Sequence, residues 1–209
     1  MRKFQSGSSF NFFPKYLVLE VHVPKQTYDR LYVENKNGKI AVAHVEAADI
    51  HLATENGIVA MYRISANKIN ALTVNGKVKG ENVETETFEA TTENGSVEGK
   101  RIHANTLDLT TENGEIRLFE VTGDIFGKTK NGSIFIEVTD LDRSLDLSTT
   151  NGRIDIKSAE KPTNASIHAF VKNGSIDIFG DKKPHTVIGD GKHQIHLETE
   201  NGSIKLGGR

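Results

Sequence analysis

The dipeptide Asn-Gly recurs nine times in this chain, beginning at Asn37, Asn56, Asn75, Asn94, Asn113, Asn131, Asn151, Asn173 and Asn201. The first five copies fall 19 residues apart, and the later gaps are 18, 20, 22 and 28. A period near 20 residues means one small unit stacked many times. That constrains the shape of the molecule more tightly than any other feature of the chain.

With each Asn taken as position zero, the columns of the repeat are uniform. Position −6 is apolar in every copy: Leu31, Ile50, Ile69, Phe88, Leu107, Ile125, Leu145, Ile167 and Ile195. Position +3 is always Ile or Val, from Ile40 and Val59 through Ile176 and Ile204. Position −2 is threonine in seven copies: Thr54, Thr73, Thr92, Thr111, Thr129, Thr149 and Thr199. Period-two alternation rich in Val, Ile and Thr reads as short strands, and no segment shows a helical period. Asn and Gly tolerate positive φ, which suits a sharp corner at the dipeptide.

Asn-Gly is also a strong hairpin signal, so an antiparallel β-hairpin meander is the alternative. The columns after the corner argue against it. Position +7 is polar (His44, Arg63, Asn82, Arg101, Glu120), whereas +8 is apolar (Val45, Ile64, Val83, Ile102, Val121). One long return strand would keep odd positions inward throughout, so this change of parity requires a bend or bulge. Three short strands and three corners make one coil. The fold is therefore read as all-β: a right-handed parallel β-helix or β-solenoid of about nine rungs of roughly 19 residues. Threonine shares the parity of the core leucines, so its ladder is expected inside or at a corner and not as a flat ice-binding array.

Residues 1–16 read as an N-terminal tail and cap, and 17–209 as one solenoid domain. Phe10, Phe12 and Phe13, followed by alternating Leu17, Leu19, Val21 and Val23, are expected to cover the first rung. At the other end Ile204 and Leu206 stand close to the terminus with no cap. That edge is expected to be open and to be covered by a second copy, giving a homo-oligomer, or by a part of the protein missing here. Residues 157–165 and 179–193 are extra length in the late repeats.

The net charge of −2, with 26% charged residues, gives no single-signed field to attract nucleic acid. The absence of cysteine excludes disulfides, thiolate metal sites and a thiol nucleophile. No apolar run is long enough to span a membrane, so no direct membrane insertion is expected. The start of the chain is basic and lacks the apolar stretch of a signal peptide. The expected location is the cytoplasm, or the cell envelope or surface if an export signal or anchor is missing from this chain.

The run Val21-His22-Val23-Pro24, then Leu31-Tyr32-Val33 and Asn37-Gly38-Lys39-Ile40, followed by copies such as Thr92-Glu93-Asn94-Gly95-Ser96-Val97 and Thr199-Glu200-Asn201-Gly202-Ser203-Ile204, resembles a bacterial adhesin domain family of unknown biochemical function. The resemblance covers about residues 17–209. It implies a β-solenoid with a role in surface attachment or envelope stress, and it carries no catalytic residues.

Some β-helices are polysaccharide lyases and hydrolases, so a carbohydrate-active enzyme is the alternative function. Such a site needs carboxylates converging on a groove. Here Glu89, Asp108, Asp146, Glu98, Asp155 and Asp177 share outward columns with lysines and arginines, the pattern of a solvated face. No catalytic residue and no cofactor are assigned. His168 and His196 share column −5, with His193 nearby, and are the candidate metal ligands. Tyr32, Phe126 and Phe135 fall in outward columns and are the candidate contact patch for a partner. The function expected is a non-enzymatic structural or binding domain that presents a repetitive surface to a protein or glycan.

Overall fold

A computed structural model describes residues 19–208. Among them are thirteen strands and no helix: β1 (Thr27–Asn37), β2 (Ile40–Asn56), β3 (Val59–Asn75), β4 (Val78–Thr92), β5 (Val97–Thr111), β6 (Ile116–Phe119), β7 (Thr122–Asn131), β8 (Ile134–Val138), β9 (Leu145–Asn151), β10 (Ile154–Ser158), β11 (Ala165–Ile178), β12 (His185–Ile188) and β13 (His193–Gly208). The ladders between named strands are parallel, apart from β11 with β12. The meander is thereby excluded, and the chain is a β-solenoid. It makes about seven turns, fewer than the nine rungs expected. The shortfall lies in β11 and β13, which add levels to the stack without closing further three-sided coils.

The Asn-Gly units lie over one another as the repeat requires. Every one of these Asn amides except that of Asn37 donates to the Asn Oδ1 of a neighbouring level at 2.8–2.9 Å, which links all nine asparagines. Each threonine at −2 is at most 5% exposed. Its hydroxyl donates to the glycine carbonyl of the adjacent level at 2.8–3.4 Å. Inside this corner the apolar columns fill a narrow interior in which Ile116, Ile134, Leu107 and Ile154 are fully buried.

Positive φ does not explain the glycines. Of the Asn-Gly glycines, only Gly38 (φ 116°) and Gly174 (φ 154°) have it, and these belong to the two outermost levels. Close approach of backbones is the cause at the interior levels. A Cβ on Gly57, Gly76, Gly95, Gly114, Gly132, Gly152 or Gly202 would lie 1.6–1.9 Å from the glycine carbonyl oxygen of the level beneath.

The C-terminal strand is not the open edge that the sequence suggested. β13 is inserted between β9–β10 on one side and β11 on the other. Ile204 and Leu206 are consequently 1% and 0% exposed. The asparagine ladder records the same order, running from Asn151 to Asn201 and then to Asn173. The outermost level is β11, whose first residues Ala165–His168 are covered by antiparallel β12. At the opposite end, among the described residues, β1 pairs only with β2. Of the expected cap, Phe10, Phe12, Phe13 and Leu17 lie outside the described residues. Leu19 and Val21 are 85% and 67% exposed and do not seal the first level.

Two outcomes follow for unfolding measured in urea. Gly95→Ala should lose more than about 3 kcal/mol, because two backbones must part, whereas Thr92→Val should lose only about 1 kcal/mol for one hydrogen bond. Leu206→Ala, close to the chain end, should cost about 2–4 kcal/mol like any core leucine. A negligible loss for Leu206→Ala would contradict the interior place of β13.

Candidate functional site

The bend inferred from the parity change is a second ladder of unusual residues. His44, Arg63, Asn82, Arg101 and Glu120, the +7 residues of five successive levels, have φ between 51° and 58°. A left-handed conformation costs a non-glycine L-residue about 1–2 kcal/mol. It turns the chain so that +8 points inward, and Ile64, Val83, Ile102 and Val121 are at most 2% exposed. The +7 side chains are thereby thrown outward along one corner of the rod.

Val23–Tyr28 runs across this corner and makes it a groove of about 620 Å³. The Tyr28 hydroxyl donates to the Pro24 carbonyl at 2.8 Å and closes that segment on itself. Lys25, Tyr28, His44, Arg63, Asn82, Arg101 and His103 line the groove, together with Glu46, Ser65 and Glu84. Its cations differ in their engagement. Arg101 is held by Asn82 Oδ1 at 2.6 Å, by Glu81 at 2.5 Å and more loosely by Glu120 at 3.8 Å. Arg63 forms no ion pair among the described residues. Its guanidinium carbon lies 5.1 Å from the ring centre of Tyr62, and the His44 ring packs edge-on against the same tyrosine at 5.6 Å. A guanidinium held against an aromatic face keeps its in-plane donors free for an acceptor.

Glu46 and Glu84 share the +9 column with Ser65 between them, two levels or about 10 Å apart at the rung spacing. Both stand on the same wall, and the facing segment Val23–Tyr28 contributes no carboxylate.

The residues anticipated as a contact patch do not come together. Tyr32 stacks on His51 with ring centres 4.8 Å apart. Its hydroxyl is held above the usual phenol range, first by a hydrogen bond to Glu34 and then by burial. Phe126 shares that column but stands five levels away, about 24 Å at the rung spacing. Phe135 lies on another side of the coil, between Arg117 and Arg153 at 5.3 and 5.5 Å.

The histidines divide as well. His168 and His196 are register partners, as their shared column implied. The His168 ring, however, packs on His185 at 4.2 Å, a neighbour supplied by the late insertion. His193 sits opposite Ala165 and acts on Asp142. Among the described residues, no group of three or more His, Asp or Glu side chains is placed to hold a metal ion.

Of the outward acids, Glu89 and Glu98 are paired with lysines and Asp177 accepts from the Gly180 amide at 2.8 Å. Glu89 accepts from Lys68 at 2.7 Å and Asn70 at 2.9 Å, and the Lys68 hydrogen bond in particular holds its carboxyl below the ordinary range. Glu98 pairs with Lys77 at 2.5 Å. The first insertion is also fastened down. Asp142 accepts from the Thr163 hydroxyl and amide and from the Asn164 amide at 2.7–3.1 Å, so these segments are tied to the body of the rod.

A family model for Toastrack DUF4097 matches residues 2–207. The chain belongs to that family. Toastrack DUF4097 is a family of unknown function, and the match spans the repeat seen in the structure. No curated protein and no solved structure matches the chain. Among the described residues of this Toastrack chain, no helix is long and apolar enough to cross a membrane.

The repeat pattern announces the +7 residues only as a bend, and the groove arises because Val23–Tyr28 crosses them. The available signal was the chemistry of column +7, where bulky cationic and polar side chains occupy a tight corner.

Asp142 offers a test of the inserted corner. Its carboxyl is held below the ordinary aspartate range, chiefly by the Thr163 hydroxyl. A depressed folded value stabilises the fold above the ordinary range, and this contribution disappears as pH falls through the depressed value. In a carbon-detected NMR titration, Asp142 should titrate below other exposed aspartates, and Thr163→Val should move it upward. An unmoved midpoint in that variant would refute the assignment.

Proposed function

We propose that this domain is a non-enzymatic binding scaffold, adhesin-like in role, that presents its +7 corner groove to a glycan at the bacterial cell envelope. One observation carries the reading. Five successive levels keep His44, Arg63, Asn82, Arg101 and Glu120 in a left-handed conformation that glycine would adopt without strain. Residues held in such conformations where a neutral replacement exists point to a use for their side chains. Here His44, Arg63, Asn82 and Arg101 supply a line of donors at the spacing of the rungs, with Arg63 free of carboxylate partners among the described residues and Tyr62 beside it as an aromatic surface. That combination suits an extended acidic sugar chain, which needs charge-assisted donors and a flat apolar contact.

The arrangement of acids favours binding over hydrolysis. Glycoside cleavage uses two carboxyl groups on opposite sides of the scissile bond. Glu46 and Glu84 belong to one wall, and in-register side chains run parallel instead of converging. The rod itself is stiff and repetitive, which suits display of a surface to a partner.

Titration of the full chain with oligogalacturonate and with a neutral oligosaccharide of equal length, followed by NMR, tests this reading. The acidic probe should shift the signals of His44, Arg63 and His103. Arg63→Gly should weaken binding about tenfold, the loss of one charge-assisted contact, with stability within about 1 kcal/mol of the parent. Binding that is indifferent to Arg63→Gly would remove the groove as the site. Failure of both sugars, with a peptide ligand binding instead, would replace the glycan with a protein partner.

A further inference from the structure

The two ends of the solenoid are finished differently. At the β11 end, β12 covers part of the edge, and Phe179 and Ile188 pack against the core. At the β1 end, the backbone of an 11-residue strand has a partner on one side only among the described residues. Leu31, Val33, Val42 and Val45 are only partly buried there, although their counterparts one level in, Ile50, Leu52, Met61 and Ile64, are at most 2% exposed. An unpaired strand edge beside exposed core residues is a template for another strand.

We propose that the occupant is a second copy of this chain, whose β1 pairs antiparallel with β1 about a two-fold axis through Tyr32, joining two solenoids head to head. The charges of β1 select this register. With Tyr32 opposite Tyr32 of the second copy, Arg30 faces Glu34 of the second copy, and Glu34 faces its Arg30. On the inner side Leu31 faces Val33, and Val33 faces Leu31. Moving the axis to Val33 would set Arg30 against Lys36, a like-charge pair. Moving it to Leu31 would set Arg30 against Tyr32 and leave Glu34 facing Tyr28. A slip by one residue would turn the apolar row outward.

Directly opposed unlike charges and opposed aliphatic side chains both stabilise antiparallel strands. Arg30 is available for this role, since its ion pair with Asp49 is loose at 3.8 Å and both side chains are more than half exposed. The contact is isologous, so it closes at two copies. The β11 end, where β12 covers Ala165–His168, takes no part in this contact. This moves self-association from the C-terminal strand, which is interior, to the opposite end. It is independent of the groove and of any ligand bound there.

Charge reversal on the full-length chain tests the register. Sedimentation velocity over a concentration series should show a monomer–dimer equilibrium for the parent. Arg30→Glu and Glu34→Arg should each weaken it at least about tenfold by opposing like charges across the axis. Mixing the two single variants should restore the dimer, and so should the double variant, because each again sets Arg against Glu. Circular dichroism and the thermal midpoint of each monomer verify that the fold is retained. A parent that stays monomeric at its highest soluble concentration, a dimer that survives both single reversals, or a mixture that fails to reassociate would each overturn the proposal.

Discussion

The structure depends on how closely the Asn-Gly corners of successive levels approach one another. At this corner the glycine of one level nearly touches the glycine carbonyl of the next, closer than any Cβ would permit. The contact brings the threonine hydroxyl within reach of that carbonyl and sets the asparagine amides at hydrogen-bonding distance. Once these two ladders hold the levels in register, the apolar columns superimpose without further instruction. Ile and Val at +3 and the aliphatic residues at −6 then fill the interior from one level to the next. Loss of register by a single residue would turn those columns toward solvent.

The second corner works by a different device and has a different consequence. No close backbone contact reserves it for glycine. The chain instead turns through left-handed residues that carry His, Arg, Asn and Glu side chains. The first corner is small, polar and uniform, and it serves the stack. The second is bulky, cationic and varied, and it lines the groove that Val23–Tyr28 walls. One coil thus places the glycine contacts that hold the stack and the outward-thrown side chains at two different bends. The flat sides between the bends carry ion pairs of mixed sign, such as Lys68 with Glu89 and Lys77 with Glu98, which favour solubility over any single ligand.

Much of this was legible in the sequence, and the limits are instructive. The period, the inward columns, the buried threonines and the bend at +7 all follow from local alternation, and all are present. The expectation of positive φ at the glycines failed because the same residue type also satisfies a steric demand made by the neighbouring level. The aromatic patch failed because Tyr32, Phe126 and Phe135 were grouped by being outward, whereas distance along the stack and the side of the coil decide what meets. The pairing of His168 with His185 was invisible, because it depends on how an insertion folds back.

The chain by itself determined the unit: what faces inward, where it bends and which residues bond level to level. Those properties arise within one repeat and its nearest copy, so they are written locally. Only the tertiary structure decided the order of the last levels and the segment that walls the groove. A level with Thr199 and Leu197 can be bonded above and below, whereas the level with Val171 and a half-exposed Phe170 sits outermost. The two −2 positions without threonine, Asn35 and Val171, fall at the two ends of the stack. Which strand lies beside which depends on edges of similar pattern that are far apart in the chain, and no single repeat encodes the choice among them.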